Sequence, residues 1–160
     1  MREVEKDSGL YTHVLTFIHT VWGSRDATMF PGPHPVSIER EHVQSVLRKN
    51  RYVVCEKTDG TRFFLVCLMF EDKKYAVFVN RALSMYTVSV AVPRDTLIDG
   101  ELIGMTFVVY DGIMVLGEHI GNLNFIERLK KAELATKGPP CGGIRPVSYT
   151  HLTLPTKRIV

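Results

Sequence analysis

Lys57-Thr58-Asp59-Gly60-Thr61-Arg62 sets a lysine directly before a tight Asp-Gly turn and an arginine five residues further on. Before it, Arg51–Glu56 reads as a strand that delivers Lys57 to a site. After it, Arg62–Phe70 is an almost continuous apolar run, as expected of a strand buried on both faces. A lysine held between strands beside fixed charges can become a nucleophile, because neighbouring cations and partial desolvation favour the neutral amine. Gly60 allows backbone to approach a phosphate closely, and Arg62 can hold a ribose or phosphate oxygen. Alone, the hexapeptide could be an ordinary hairpin turn flanked by charge. Its order relative to other polar islands gives it meaning.

Two such islands follow in apolar surroundings. Phe78-Val79-Asn80-Arg81 closes one β-like run, and Asp99-Gly100-Glu101 lies inside another, Ile98–Ile103. An acidic residue facing inward in such a run requires compensation. Glu71-Asp72-Lys73-Lys74 reads as a solvated hairpin turn, with Tyr75–Asn80 as the returning strand. Met85–Val92, Thr96–Gly104 and Thr106–Asp111 supply further strands. Ser37 is placed to cap a helix running to about Lys49, with Glu39 and Glu41 in its first turn, Arg48 and Lys49 in its last, and Val43, Val46 and Leu47 as its buried stripe. Asn124 is placed to cap a last helix, with Glu127 at the capping-box position and Phe125 and Leu129 on its inner face. Leu10–Trp22 fits a strand or a short helix equally well. The order of elements is α+β and mainly antiparallel.

These motifs resemble the covalent nucleotidyltransferases, the superfamily of mRNA capping enzymes and polynucleotide ligases. Its first motif, K-x-D-G-x-R, is matched at every fixed position, the next ends in an arginine as at Arg81, and the third reads D-G-E as at Asp99–Glu101. Phe30-Pro31-Gly32-Pro33-His34-Pro35-Val36-Ser37 is similar to the F-P-G-x-x-P-V-S that precedes the lysine in many capping enzymes, and Thr58 with Gly60-Thr61-Arg62 also suits them. Val109-Tyr110-Asp111-Gly112-Ile113, Gly117 and the Asn124–Leu129 segment are similar to the strand and helix after D-G-E.

The resemblance implies an α+β, mainly antiparallel β nucleotidyltransferase domain of the ATP-grasp-like ligase and capping enzyme kind, incomplete on its C-terminal side. Residues 28–145 would be the N-terminal part of a guanylyltransferase domain, with 1–27 an N-terminal segment without an assigned role. It implies an mRNA guanylyltransferase that moves GMP from GTP through lysyl-GMP to the 5′-diphosphate end of RNA, with a divalent metal (Mg or Mn) to screen phosphate charge. Lys57 would be the catalytic nucleophile. Arg62, Arg81, Glu101 and Phe78 would bind nucleotide, with Asp59 and Gly60 supporting the turn, and no residue is assigned as a metal ligand. Surface pairing is the plain alternative for Arg81, and simple core for Phe78. Asn80 departs from the aspartate common before this arginine, so no charge-based role is expected of it. RNA polymerase II or a transcription complex would be a partner, and the location nuclear, or cytoplasmic for a viral protein. An ATP-dependent DNA or RNA ligase shares the first and third motifs, and a non-catalytic nucleotide-binding fragment is the non-enzymatic alternative.

Composition adds little. The 160 residues are 45% hydrophobic and 23% charged, ordinary for a globular domain, and a net charge of +3 specifies no partner. Cys55, Cys67 and Cys141 form no metal-ligand spacing, and Cys55 and Cys67 are expected to be small buried hydrophobes. Their odd number favours a reducing compartment, and no apolar run is long enough for a membrane span. Val147–Thr156 resembles a translated sequencing-library adapter, so 146–160 are set aside as a non-native tail, expected to be disordered. The family's later lysine-bearing motifs and its OB-fold domain do not appear before that tail, so the chain alone is expected to be inactive.

Overall fold

The computed structural model describes residues 1–136, 144–146 and 149–151. They fall into two compact units. The larger holds the described residues of Met1–Gly32 and Thr58–Pro146, the smaller those of Pro33–Lys57 and Val147–Val160.

The larger unit is a mostly antiparallel sheet with two helices. Its strands are β1 (Arg2–Glu3), β3 (Thr61–Phe70), β4 (Lys73–Asn80), β5 (Met85–Val88), β6 (Thr96–Ile103), β7 (Thr106–Val115), β8 (Glu118–His119) and β9 (Ile144–Pro146), the number β2 being kept for a strand of the smaller unit. The order across the sheet is β1-β5-β4-β3-β6-β7-β8, with β9 parallel to β7. β3 is central, and Phe63–Leu68 are all buried, as their unbroken apolar run requires. It turns into β4 through Glu71 and Asp72 alone, both at positive φ (46° and 59°), the backbone that matches strand twist in two-residue hairpins. Lys73 and Lys74 therefore belong to β4 rather than to the turn. The expected strand from Met85 stops at Val88, while the one from Thr106 runs on to Val115.

Leu10–Trp22 resolves as a helix, α1 (Gly9–Trp22), because its ends are both satisfied. The Ser8 side chain accepts from Tyr11 N–H, and Gly23 closes the other end in the left-handed region at φ 63°. Its Val14, Ile18 and Val21 pack in the core with Phe64, Val66, Leu68, Val77, Val79 and Leu97. Residues 1–27, left without a role by the sequence, thus contribute a strand and a helix to the same unit as the sheet. The second helix of this unit, Phe125–Thr136 (here α3), starts as expected at Asn124, whose Oδ1 accepts Glu127 N–H, and buries Leu129.

The smaller unit differs from expectation. In place of a helix from Ser37 there is one turn, α2 (Arg40–His42), running into a π-helical turn at Val43–Leu47. Glu39 is its cap, in a reciprocal capping box with His42, and Val43, Val46 and Leu47 are not buried. Pro33 and Pro35 disfavour helix in the residues just before them, and Ser37 lies before the helix rather than at its cap. Strand β2 (Val53–Cys55) pairs with β10 (Tyr149–His151), so with Pro146 in β9 four residues of the tail set aside above are in sheets, contrary to the disorder expected of that tail. Cys55 is exposed, which corrects the expectation for it, whereas Cys67 is buried. Cys141, Val147, Ser148 and Leu152–Val160 lie outside the described residues.

Candidate functional site

Side chains on β3 and β6 alternate between faces, and the register decides which of them meet. Arg62 is opposite Glu101, and Phe64 opposite Asp99, so Arg62, Asp99 and Glu101 share the face that carries Phe64 and α1. Arg62 grips Asp99 with two bonds, Nε to Oδ1 at 3.0 Å and Nη2 to Oδ2 at 2.5 Å. The guanidinium also sits over the Phe30 ring, 5.3 Å from its centroid, and Phe30 stacks on Phe64 at 4.1 Å. Gly32 closes the same corner: a Cβ there would come within 2.8 Å of Arg62 Nη2 and 2.5 Å of the Phe30 ring. The Phe30-Pro31-Gly32 stretch therefore walls the arginine. Asp99 is 4% exposed, and burial pushes its carboxyl above the ordinary value. The Arg62 hydrogen bonds and charge oppose that rise, and the charge of Asp111 adds to it.

Glu101 is held by two hydroxyls. Thr58 and Tyr110 both donate to its Oε2 and lie against one another. Tyr110 reaches this point through a bulge in β7, where Asp99 pairs with Asp111 but the next residue, Gly100, pairs with Val109. The extra residue is Tyr110, re-aimed as bulges commonly re-aim side chains. Asp111 anchors the bulge to α3, accepting Arg128 Nε at 2.7 Å and Nη2 at 2.8 Å, while Arg128 Nη1 donates to Leu123 O at 2.6 Å. Gly112 lets the helix approach, since a Cβ there would meet Ala132 at 3.1 Å.

Arg62 and Glu101 are brought together, with Asp99, Thr58 and Tyr110 as neighbours that the sequence reading did not assign to the site. Tyr110 had a signal: Asp111-Gly112 interrupts an apolar run whose alternation fails there, and glycine inside a strand often marks a bulge. Asp59 and Gly60 are exposed at the entry to β3. Gly60 is needed against protein as well as for any ligand, since a Cβ on it would lie 2.3 Å from Leu102 O. Lys57 is exposed at the end of the smaller unit. Arg81 is exposed in the loop after β4, at the same end of the sheet as Arg62 and Glu101.

Phe78 is not brought to them. It is opposite Leu65 and thus on the other face of the sheet, buried against Phe63 (centroids 5.4 Å apart) and Phe107 (4.9 Å). The pleat makes it core, which corrects its assignment to the nucleotide pocket. Among the described residues no group of three or more His, Cys, Asp or Glu side chains could hold a metal ion, and no helix is long and apolar enough to cross a membrane.

Residues 3–140 match the family model of the mRNA capping enzyme, catalytic domain. Similar curated proteins include the mRNA-capping enzyme subunit alpha of Schizosaccharomyces pombe, 35% identical over 89 residues, which is 46% of this chain and 22% of that protein. The mRNA-capping enzyme subunit alpha of Neurospora crassa is 33% identical over 92 residues, 49% of this chain and 23% of that protein. The mRNA-capping enzyme of Danio rerio is 29% identical over 122 residues, 65% of this chain and 20% of that protein. The chain thus spans only 20% to 23% of the length of these relatives.

Proposed function

The chain belongs to the mRNA capping enzyme catalytic-domain family, and we propose that the protein carrying it is an mRNA guanylyltransferase with Lys57 as nucleophile. Lys57 Nζ, having lost a proton, attacks the α-phosphorus of GTP. A P–N bond forms as the P–O bond to the β-phosphate breaks, giving lysyl-GMP and pyrophosphate. A β-phosphate oxygen at the 5′-diphosphate end of RNA then attacks the same phosphorus, and the lysine leaves. The fold assignment that goes with this reading is the nucleotidyltransferase domain of ligases and capping enzymes.

One observation carries the reading: β3 and β6 set Arg62 opposite Glu101 on a single face, immediately after the lysine motif in the chain. Positive and negative groups so placed suit the phosphate and hydroxyl oxygens of a nucleotide. Magnesium or manganese is taken to enter with the triphosphate in this reading, as such ions commonly do. RNA, a transcription complex as partner and a nuclear location follow from the same reading. In this reading the 160 residues alone are expected to be inactive.

The test is covalent labelling of the longest available form of the protein with α-labelled GTP or ATP. GTP is expected to give an acid-labile adduct, lost in both Lys57→Ala and Lys57→Arg, because arginine keeps the charge but stays protonated. An adduct that persists in both variants overturns the assignment of Lys57. Labelling by ATP in preference to GTP replaces the capping reading with that of a ligase.

A further inference from the structure

The loop between β4 and β5 is built around one side chain. Asn80 Oδ1 accepts the backbone N–H of Ala82 at 3.0 Å and of Ser84 at 2.9 Å. The Asn80 backbone closes the same loop, donating to Ser84 O at 3.1 Å and accepting from Leu83 N–H at 2.9 Å. Together these four bonds hold Leu83 at φ 59°, a conformation that side chains other than glycine, asparagine and aspartate adopt rarely. Leu83 is nonetheless buried in the core cluster with Val79 and Met85. The loop is therefore pinned at β4 on one side and in the core on the other. Arg81 and Ala82 are exposed between the two anchors. Phe63 pairs with both Asn80 and Gly100, so the loop emerges at the end of the sheet where Arg62 and Glu101 stand.

We propose that Asn80 is a positioning residue, which aims Arg81 at the phosphate or ribose oxygens of the bound nucleotide by organising its loop. The proposal rests on the nucleotide-binding reading of Arg81. Oδ1 acts only as an acceptor, so no charge is needed. A carboxylate in its place would accept the same two N–H groups, and a methyl group would accept neither. An arginine on a loosened loop would have to be ordered at the moment of binding, which weakens nucleotide binding rather than the chemical step.

Two readouts on Asn80→Ala, Asn80→Asp, Arg81→Ala and the Asn80→Ala/Arg81→Ala double variant test this. Amide hydrogen exchange in the 160-residue chain is expected to speed up at Ala82 and Ser84 in Asn80→Ala and to stay slow in Asn80→Asp. In the longest labelling-competent form, KM for GTP is expected to rise about tenfold in Asn80→Ala and in Arg81→Ala with little change in kcat. Asn80→Asp should restore KM, and the double variant should be no worse than Arg81→Ala. Unchanged exchange in Asn80→Ala overturns the positioning role. An additive double variant overturns it too, because Asn80 would then act without Arg81. A normal KM in Arg81→Ala removes the nucleotide contact on which the proposal stands, whatever the exchange shows, and leaves the assignment of Lys57 intact.

Discussion

Arg62 reaches diagonally across the sheet to Asp99, two residues before Glu101, its direct partner in the register. Two bonds and near-complete burial make this a structural pair as well as part of the candidate site: the side chains are 14% and 6% exposed. Removing one member of such a pair leaves the other as a buried charge with its main partner gone. A nucleotide that engages Arg62 would meet a guanidinium already oriented by Asp99 and walled by Phe30.

Arg62→Ala is therefore predicted to cost stability, about 3 kcal/mol near neutral pH, in addition to any loss of labelling. The pH dependence follows from Asp99, whose carboxyl is raised by burial even with Arg62 beside it. A carboxyl raised in the fold binds its proton more tightly there than in the unfolded chain. Its stabilising contribution is present at low pH and lost as pH rises through the folded value. Without Arg62 the value rises further, so the deficit of Arg62→Ala should be smaller at about pH 5 than at about pH 8. Urea unfolding at both pH values checks this, and an equal deficit at both would contradict it.

Tyr110→Phe removes one hydroxyl from Glu101 while keeping the ring at the bulge. GMP adduct formation is expected to fall several-fold, with stability changed by no more than about 1 kcal/mol. Single-turnover labelling beside thermal melts separates the two effects. Full-rate labelling by a normally folded variant would show that the Glu101 orientation does not depend on this hydroxyl.

Gly60→Ala should destabilise the fold by about 2 kcal/mol or more, because the added methyl meets backbone at Leu102 O rather than a side chain able to move. Were Gly60 needed only for phosphate approach, the variant would melt like the parent and fail only in nucleotide binding. Comparing urea midpoints with GTP binding decides between these outcomes.

Leu116→Asn is expected to stabilise the protein by about 0.5–1 kcal/mol. Leu116 stands at φ 53° before Gly117 at φ 79° in the tight turn from β7 to β8, and its side chain is 68% exposed. Asparagine tolerates that backbone and little packing is lost. A midpoint unchanged or lowered in urea would show that Leu116 makes a contact that offsets the strain.

The strands were legible because their signal is local. Arg62–Phe70 read as a strand buried on both faces from its almost continuous apolar run, and Lys57–Arg62, Asn80-Arg81 and Asp99–Glu101 stood in the order on which the family resemblance rested. Helix α3 was legible from its cap at Asn124. The helix expected from Ser37 failed because its capping and periodic signals had no buried face to reinforce them, leaving one turn at Arg40–His42 and a π turn.

Along the chain, then, the sequence by itself determined the order of the main strands from β3 to β7, the α+β class and the motif residues, since each depends on neighbours a few positions apart. Only the tertiary structure decided which of those residues share a face. Phe78 and Arg62 both lie in apolar surroundings beside family motifs, yet pairing of β3 with β4 and β6 puts them on opposite sides of the sheet. Tyr110 meets Glu101 because one bulge residue shifts the register of β7 against β6. Alternation along a strand has a period of two, so a single residue of register moves every following side chain to the other face. Between β3 and β6 that register is set by hydrogen bonds joining segments far apart in the sequence, where no local pattern records it.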